Sequence, residues 1–364
     1  MRHPLQITLT ILLTVIFMTA CGKRRPPLPP IEKIPQRTEQ LNGYQQGNRI
    51  ILYFPAPQLN APDESVQSIR RIDVYRMAES PDEPLALTED EFSARSVLIG
   101  SIPFDAIQKP SATLRYTDSL EQSGQFVRLR YAVKFVNSSG SKAAFSNFLL
   151  IEPTPNVSLS PANLEAEQTE NSVTLKWQQP KQNTDRSEPA NILGYNIYRL
   201  SGNIFDNQPD KIKPINQQPV TETTYNDSSF IFGEKYIYFV RTASLGADGN
   251  PIESLDSNSI TVSPKDIYPP LQPTGLSIAA SPGKISIFFP SNTEKDIAGY
   301  FIFRSLDGNL PLNNWTKLTP TPITKTNYQD SSVESGKKYF YYVVAVDTSG
   351  NISKPSEIVS ETVQ

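Results

Sequence analysis

The sequence predicts an all-β protein made of three tandem β-sandwiches, and three observations lead to this fold class. Proline is abundant, with 32 prolines against 17 glycines in 364 residues, which disfavours long helices and favours strands that end in stiff turns. Tyrosine and phenylalanine, both enriched in strands, number 16 and 17. The same set of sequence patterns also occurs three times along the chain.

Each copy begins with a strand in which apolar and polar residues alternate and which ends in an aromatic residue. These strands are IILYF at 50–54, VTLKW at 173–177 and ISIFF at 285–289. Alternation with a period of two predicts an antiparallel strand that buries one face.

Two further patterns follow in each copy. One is IRRIDVYR at 69–76, ILGYNIYR at 192–199 and IAGYFIFR at 297–304. The other joins a turn to a long strand, so that Tyr116, Tyr225 and Tyr328 recur at nearly equal separations. About seven short strands per ~100 residues predict immunoglobulin-like β-sandwiches.

The three copies resemble fibronectin type III domains over nearly all of residues 40–364. The resemblance places one core aromatic residue in each domain: Phe54, Trp177 and Phe289. GEKYIYFV and GKKYFYYV match the G-x-x-Y start of a later strand, which implies that Tyr236 and Tyr339 are tyrosine-corner residues. The first copy departs from the family pattern, with Leu129 at the corner position and Arg71-Ile72 in place of Gly-Tyr.

Domain limits are predicted where proline clusters between the copies. The expected segments are a signal peptide at 1–20, a basic, proline-rich tether at 21–40, and three domains at 41–153, 154–264 and 265–364. Short proline-rich joints restrict swivelling, so we expect a semi-rigid rod.

The N-terminal segment has the pattern of a secretory signal peptide. A positive start precedes an apolar run from Ile7 to Met18 and small residues before Cys21. This run of about 12 residues is shorter than the ~20 that cross a bilayer as a helix. A secreted chain that is cut before Cys21 is therefore predicted.

The stretch MTACG at 18–22 resembles a bacterial lipobox, in which the cysteine becomes the first residue and receives a diacylglycerol. The resemblance implies that membrane lipid is the first partner of the chain, through acylated Cys21, since several acyl chains give stable anchoring. Gly22 rather than Asp follows the cysteine, which implies the outer membrane of the cell envelope.

Three basic residues follow the predicted anchor: Lys23, Arg24 and Arg25. They could contact anionic lipid headgroups, at about 1 kcal/mol per charge, or they could belong to a solvated linker. The prolines behind them favour an extended polyproline conformation in either case.

The composition excludes several kinds of chemistry. The only histidine is His3, and the only cysteine is Cys21. A mature chain without imidazole cannot use a Ser-His-Asp triad, a Cys-His pair or a histidine-ligated haem, and it cannot build a zinc site from histidine or cysteine. Carboxylate, lysine or tyrosine chemistry remains possible. A glycosidase would need only two carboxylates at the right separation, but paired acids are expected at random on an acidic surface, and no further domain of catalytic size is left over. We therefore expect no enzyme activity, no metal and no cofactor. The net charge of −3 also argues against a nucleic-acid partner.

Two kinds of surface loop are candidate sites. The first copy carries the acidic insertion ESPDEPLALTEDEFSAR, which could bind calcium, but it lacks the spacing of a calcium loop, so a solvated insertion is favoured. LGADGN and DTSGN lie where sandwich proteins present recognition loops. Their composition is equally that of tight turns, which is the favoured interpretation.

The expected function is that of a lipid-anchored envelope protein that acts as a non-catalytic binding or spacer module, with a protein or glycan partner. One alternative is a polysaccharide-binding accessory protein, which requires exposed aromatic residues along a sheet face, with Trp315 as the candidate. The other is a subunit of an outer-membrane assembly or secretion complex, which requires an exposed apolar patch or a free edge strand.

Overall fold

A computed structural model describes residues 33–60, 67–104, 112–120, 127–202 and 212–364. Within these ranges the regular structure consists of strands, with one short α-helix and one turn of 3-10 helix. The predicted all-β fold class of tandem β-sandwiches is confirmed. The limits of the individual domains stay a prediction.

The first sandwich packs a three-stranded sheet, in the order β1-β2-β5, against a four-stranded sheet in the order β4-β3-β6-β7. Its elements are β1 (Asn42–Gln46), β2 (Arg49–Pro55), β3 (Ile69–Glu79), α1 (Glu89–Arg95), β4 (Val97–Pro103), β5 (Thr113–Ser119), β6 (Arg128–Asn137) and β7 (Leu149–Ile151).

The second sandwich packs β8-β9-β11 against a sheet in which β12 pairs with β10, β13 and β14. The third packs β15-β16-β19 against β18-β17-β20-β21. Their strands are β8 (Ala162–Gln168), β9 (Val173–Gln178), β10 (Gly194–Ser201), β11 (Thr224–Asp227), β12 (Tyr236–Leu245), β13 (Pro251–Glu253), β14 (Ile260–Val262), β15 (Ser277–Ser281), β16 (Lys284–Phe288), β17 (Ile297–Ser305), β18 (Thr316–Lys317), β19 (Asn327–Asp330), β20 (Lys338–Asp347) and β21 (Val359–Thr362).

Each sandwich has its own hydrophobic core, and the predicted aromatic residue lies inside it. Phe54, Trp177 and Phe289 expose 1–5% of their surface. Trp177 contacts Tyr195 edge to face at 5.3 Å between ring centroids, and Phe289 contacts the equivalent Tyr300 at 4.8 Å. In the first domain the smaller Ile72, which is fully buried, stands in place of that tyrosine.

The predicted corner tyrosines are buried and bind the backbone five residues upstream. The backbone N–H of Ile231 donates to the hydroxyl of Tyr236 at 3.0 Å, and that of Glu334 donates to Tyr339 at 3.1 Å. These are the contacts of a tyrosine corner. Leu129 occupies the position in the first domain and is buried, but it has no hydroxyl to make this bond.

A buried Arg-Asp-Tyr cluster joins the two sheets in each domain. In the first domain Tyr131 donates to Oδ2 of Asp118 at 2.7 Å, and Nη1 of Arg76 lies 2.8 Å from the same oxygen. The aspartate is on β5, whereas the arginine and tyrosine are on β3 and β6 of the facing sheet. The equivalent clusters of the other domains, with distances of 2.7–2.9 Å, are Arg199, Asp227, Tyr238 and Arg304, Asp330, Tyr341.

The clusters of the second and third domains keep their aspartates ionised although these carboxylates are buried. Burial raises the pKa of Asp227 and Asp330, but hydrogen bonds from serine, tyrosine and arginine outweigh it, so both pKa values are lowered. Each lowered pKa therefore contributes stability above the unfolded value of about 3.9, and this contribution is lost as the pH falls toward the native pKa. Burial, followed by the neighbouring carboxylate, raises the pKa of Tyr238 and Tyr341.

The cluster of the first domain has fewer donors. In the second domain Ser229 donates to Oδ1 of Asp227 through its N–H at 2.9 Å and its hydroxyl at 2.8 Å. The corresponding residue of the first domain is Leu120. Among the described residues, Asp118 is held only by Arg76 and Tyr131.

The first two domains are joined by a continuous sheet and by a glutamine. Strand β1 pairs with β13 in parallel, and the N–H of Gly47 donates to the carbonyl of Glu253 at 2.8 Å. The amide of Gln45 binds both backbone groups of Thr154, donating to its carbonyl and accepting from its N–H, each at 2.8 Å. We call this two-way contact an amide clamp.

The second junction has an amide clamp of the same kind. Gln168, at the end of β8, donates to the carbonyl of Lys265 at 2.6 Å and accepts from its N–H at 3.1 Å. Each clamp therefore joins the first strand of one domain to the linker that leads into the next. This contact is exposed, whereas the first clamp is partly buried and is supported by strand pairing.

We predict that removing the cluster hydroxyl destabilises the first domain more than the second. Tyr131→Phe leaves buried Asp118 with one partner and should cost about 2 kcal/mol, whereas Tyr238→Phe leaves the serine donors and should cost about 1 kcal/mol. Hydrogen-exchange mass spectrometry resolves the protection of β6 and β12 separately. Tyr53→Phe, on a half-buried surface tyrosine, is the control. Equal losses in the two domains would contradict the prediction.

We also predict that Gln45→Ala loosens the first junction. The variant loses the amide clamp, so the two domains should sample a wider range of orientations. Spin labels on Thr117→Cys and Glu165→Cys, in a Cys21→Ser background, report the distance distribution between the domains. Gln168→Ala, which removes the other clamp, is the matched control and should leave this distribution unchanged. An unchanged width in Gln45→Ala would show that the clamp does not hold the junction.

Candidate functional site

The predicted anchor lies outside the described residues. Cys21 and the basic residues Lys23, Arg24 and Arg25 all precede residue 33, where the description begins. Acylation of Cys21 and headgroup contact therefore stay predictions. In the part of the chain that is described, no helix is long and apolar enough to cross a membrane.

The acidic insertion of the first domain is folded, and Asp82, Glu89, Asp90 and Glu91 are exposed to solvent, as expected of a solvated insertion. It contains α1, which begins with a capping box between Thr88 and Glu91. Phe92 of this helix is fully buried and contacts Phe145 edge to face at 5.0 Å. The insertion therefore covers an apolar cluster on the outer face of the four-stranded sheet, together with Met77 and Ala132.

A buried ion cluster fixes the start of this insertion. Glu79 lies 2.7 Å from Nε of Arg130 and 3.3 Å from Nη1 of Arg128. The two guanidinium groups also donate to the carbonyls of Pro81, Glu83 and Leu85. Because the carboxylate of Glu79 is paired with both arginines, it is not free to bind calcium.

Trp315 does not provide an exposed aromatic surface. It is 6% exposed, its Nε1 donates to the carbonyl of Leu310 at 3.0 Å, and its ring packs on Tyr342. The exposed aromatic residues lie elsewhere. Tyr44 of β1 is 36% exposed, and its ring centroid is 6.3 Å from that of Tyr53 on β2.

A cleft of about 560 Å³ lies beside Tyr44, between the first two domains. One wall comes from β1 and β7 and includes Gln46 and Glu152. The other comes from β13 and the preceding turn and includes Asp248 and Asn250. Because the sheets of the two domains join at β1 and β13, the two walls have a fixed relation to each other.

The LGADGN segment is a tight turn, as its composition predicted, and it also forms a wall of the cleft. The N–H of Gly246 donates to the carbonyl of Asn250, and Asp248 accepts from the N–H and side chain of Asn250. These hydrogen bonds lower the pKa of Asp248. The N–H of Ala247 donates to Oγ1 of Thr154, so the turn also contacts the linker.

Three carboxylates approach one another at the second junction, which the sequence patterns did not indicate. Oxygens of Asp266, Asp296 and Asp347 lie within 4.8 Å of one another, a separation that could hold a metal ion. However, Asn351 already donates to both oxygens of Asp347, each at 2.8 Å. The residues come from a linker, a loop and the DTSGN turn, so nothing in their spacing could have identified them.

Strand β4 is an edge strand with exposed apolar residues. It pairs only with β3 among the described strands, and Val97 and Leu98 are 56% and 54% exposed. The strand carries no charged residue, although charges commonly protect such edges from pairing with other chains. The corresponding edge strand of the third domain, β18, has two residues and includes Lys317.

Proteins with sequences similar to this chain include two enzymes, and no protein-family model matches it. It is 26% identical to Exoglucanase B of Cellulomonas fimi over 242 residues, which cover 64% of the chain and 20% of that protein. It is 29% identical to Chitinase A1 of Niallia circulans over 199 residues, which cover 53% of the chain and 24% of that protein. The chain thus spans about a quarter or less of these relatives.

Similar solved structures are fibronectin type III proteins. The FN1-FN3 domains of chicken CNTN1 are 14% identical, cover 91% of this chain and 99% of that one, and give a TM-score of 0.27. An Fn3-like protein from Clostridium thermocellum is 28% identical, covers 27% of this chain and 96% of that one, and gives a TM-score of 0.23. The fold class itself is read from the sheet orders and cores described above.

Proposed function

We propose that this chain is a lipid-anchored, non-catalytic protein of the cell envelope that acts as a spacer and binding module. The observation that carries the proposal is that both domain junctions are closed by amide clamps, at Gln45 and Gln168. Domains that are fixed end to end can hold a surface at a set distance from an anchor. A flexible linker would not do this.

The anchor in this proposal is acylated Cys21 in the outer membrane. The lipobox-like stretch, the basic residues behind it and the proline-rich tether support it. A polyproline segment of twenty residues would reach up to ~60 Å from the lipid surface. The tether would therefore hold the domains away from the lipid surface, and the clamped domains would increase the distance that the chain spans.

The binding role in this proposal has a candidate surface on β4. Its open edge and its exposed residues Val97 and Leu98 could accept an extended strand of a protein partner. Such strand addition gains main-chain hydrogen bonds and places alternate side chains in contact. This would suit a subunit of an outer-membrane assembly or secretion complex.

A second candidate function is that of a polysaccharide-binding accessory protein. Two observations favour it: two relatives are named an exoglucanase and a chitinase, and Tyr44 of β1 is exposed. The similarity covers only part of those enzymes, so we propose glycan contact without hydrolysis.

The anchor is tested by metabolic labelling with a clickable fatty acid. Cys21→Ser should abolish the label and move the protein from the membrane fraction to the soluble fraction, because no other cysteine can be acylated. Met18→Leu, which preserves the lipobox-like pattern, is the control and should retain both label and membrane. Membrane retention of unlabelled Cys21→Ser would contradict lipid anchoring.

The second candidate function is tested by co-sedimentation of the full chain with crystalline cellulose and with chitin. The protein is held in a detergent without a sugar headgroup, since such a headgroup would compete. A glycan-binding protein should move into the pellet with at least one polymer, and free oligosaccharide should release it. A protein that remains in the supernatant with both would refute the accessory role and leave the spacer role standing.

A further inference from the structure

We propose that the cleft between the first two domains binds a neutral oligosaccharide, with Tyr44 as the residue that stacks on a sugar ring. This inference rests on the second candidate function, to which it adds a site and a ligand class. It is carried by three observations: the fixed geometry of the cleft, its exposed aromatic residue, and the kinds of polar group that line it.

The cleft is formed before any ligand arrives. Strand pairing between β1 and β13 joins its two walls, and the amide clamp of Gln45 on Thr154 holds the linker between them. A site that is already ordered loses little conformational entropy on binding, which matters for ligands that bind through few contacts. The volume of about 560 Å³ is that of a small-molecule site.

Tyr44 presents an aromatic ring at the edge of this cleft. Tyr44 is 36% exposed, and the ring of Tyr53 lies beside its ring at 6.3 Å between centroids, with the ring planes tilted by 58°. A sugar ring has an apolar face of C–H groups that packs on an aromatic face.

Two amide side chains that line the cleft are held by the hydrogen bonds that they donate. Nε2 of Gln46 donates to the carbonyl of Ser254 at 3.2 Å, and Nδ2 of Asn250 donates to Asp248 at 2.8 Å. Their amide oxygens accept no hydrogen bond from any described residue, so each can receive one from a sugar hydroxyl. Two fixed acceptors beside an apolar ring suit a polyhydroxylated ligand.

The charge of the cleft excludes acidic ligands. Glu152, Asp248 and Glu253 line it, and no lysine or arginine is among its lining residues. An anionic polymer or a phosphate would be repelled. A cation would also bind weakly, because the carboxylate of Glu253 already accepts hydrogen bonds from Tyr198 and Arg241. Among the described residues, the three carboxylates that lie within 4.8 Å of one another are not in this cleft. They are at the second junction.

The test is a calorimetric titration of the full chain with cellohexaose and with chitohexaose, in a detergent without a sugar headgroup. Tyr44→Ala should weaken the binding of the hexasaccharide about tenfold, the loss expected of one stacked aromatic contact. Phe288→Ala is the matched control, because Phe288 is 48% exposed on β16 of the third domain, far along the chain from the cleft. The affinity of the Phe288→Ala variant for the hexasaccharide should equal that of the unaltered protein. Polygalacturonate, an anionic probe, should not bind.

The possible outcomes distinguish failure of the cleft as a binding site from failure of the polysaccharide-binding role. Binding that Tyr44→Ala weakens and Phe288→Ala does not would support the cleft. Binding that both variants retain in full would overturn the cleft while the accessory role stands. If neither hexasaccharide binds the unaltered chain, the cleft is overturned, and a failure to pellet with cellulose and chitin would remove the accessory role as well. Tight binding of polygalacturonate would overturn the ligand class.

Discussion

The Arg-Asp-Tyr cluster is the interaction on which each sandwich depends. An aspartate from one sheet is buried between an arginine and a tyrosine of the other, as with Asp227 between Arg199 and Tyr238. A buried carboxylate without hydrogen-bond donors would be strongly destabilising. The two sheets therefore pack in the relative position that brings the aspartate to its arginine and its tyrosine. The cluster thereby specifies the sheet alignment that apolar contacts alone would leave less defined.

Once the sheets are aligned, the ends of the strands are available for other contacts. The end of β1 supplies Gln45, and the end of β8 supplies Gln168, so each domain clamps the linker to the next. The first junction adds strand pairing, whereas the second has carboxylates beside its linker. The two joints thus differ in polarity and in exposure, although the domains that they connect are built alike.

The fold could be predicted from the sequence because the repeats place equivalent residues at equivalent positions. Phe54, Trp177 and Phe289 are at the ends of alternating strands, and this alternation alone shows which face is buried. The clusters were also visible in outline, since an arginine ends the second pattern and an aspartate follows the tyrosine of the third. Whether these residues form a cluster depends on which strands face each other, and a linear pattern does not contain that information.

The candidate sites were harder to predict because burial decides their roles. Trp315 is an aromatic residue of the kind that stacks on sugars, yet it is buried by a hydrogen bond to Leu310 and by packing on Tyr342. Phe92 lies in an acidic segment whose composition predicts exposure to solvent. It is buried because it packs on the apolar outer face of the four-stranded sheet. Tyr53 lies between two buried residues of IILYF, Leu52 and Phe54, and its half-buried position is the one that the alternation predicts.

A spacer role and a binding role place compatible demands on the first junction. A spacer needs a stiff joint, and a cleft that spans two domains needs walls that do not move apart. Both needs are met by the pairing of β1 with β13 and by the clamp of Gln45 on Thr154. Since one set of contacts serves both, loosening the joint would also open the cleft, and rigidity and ligand affinity should change together.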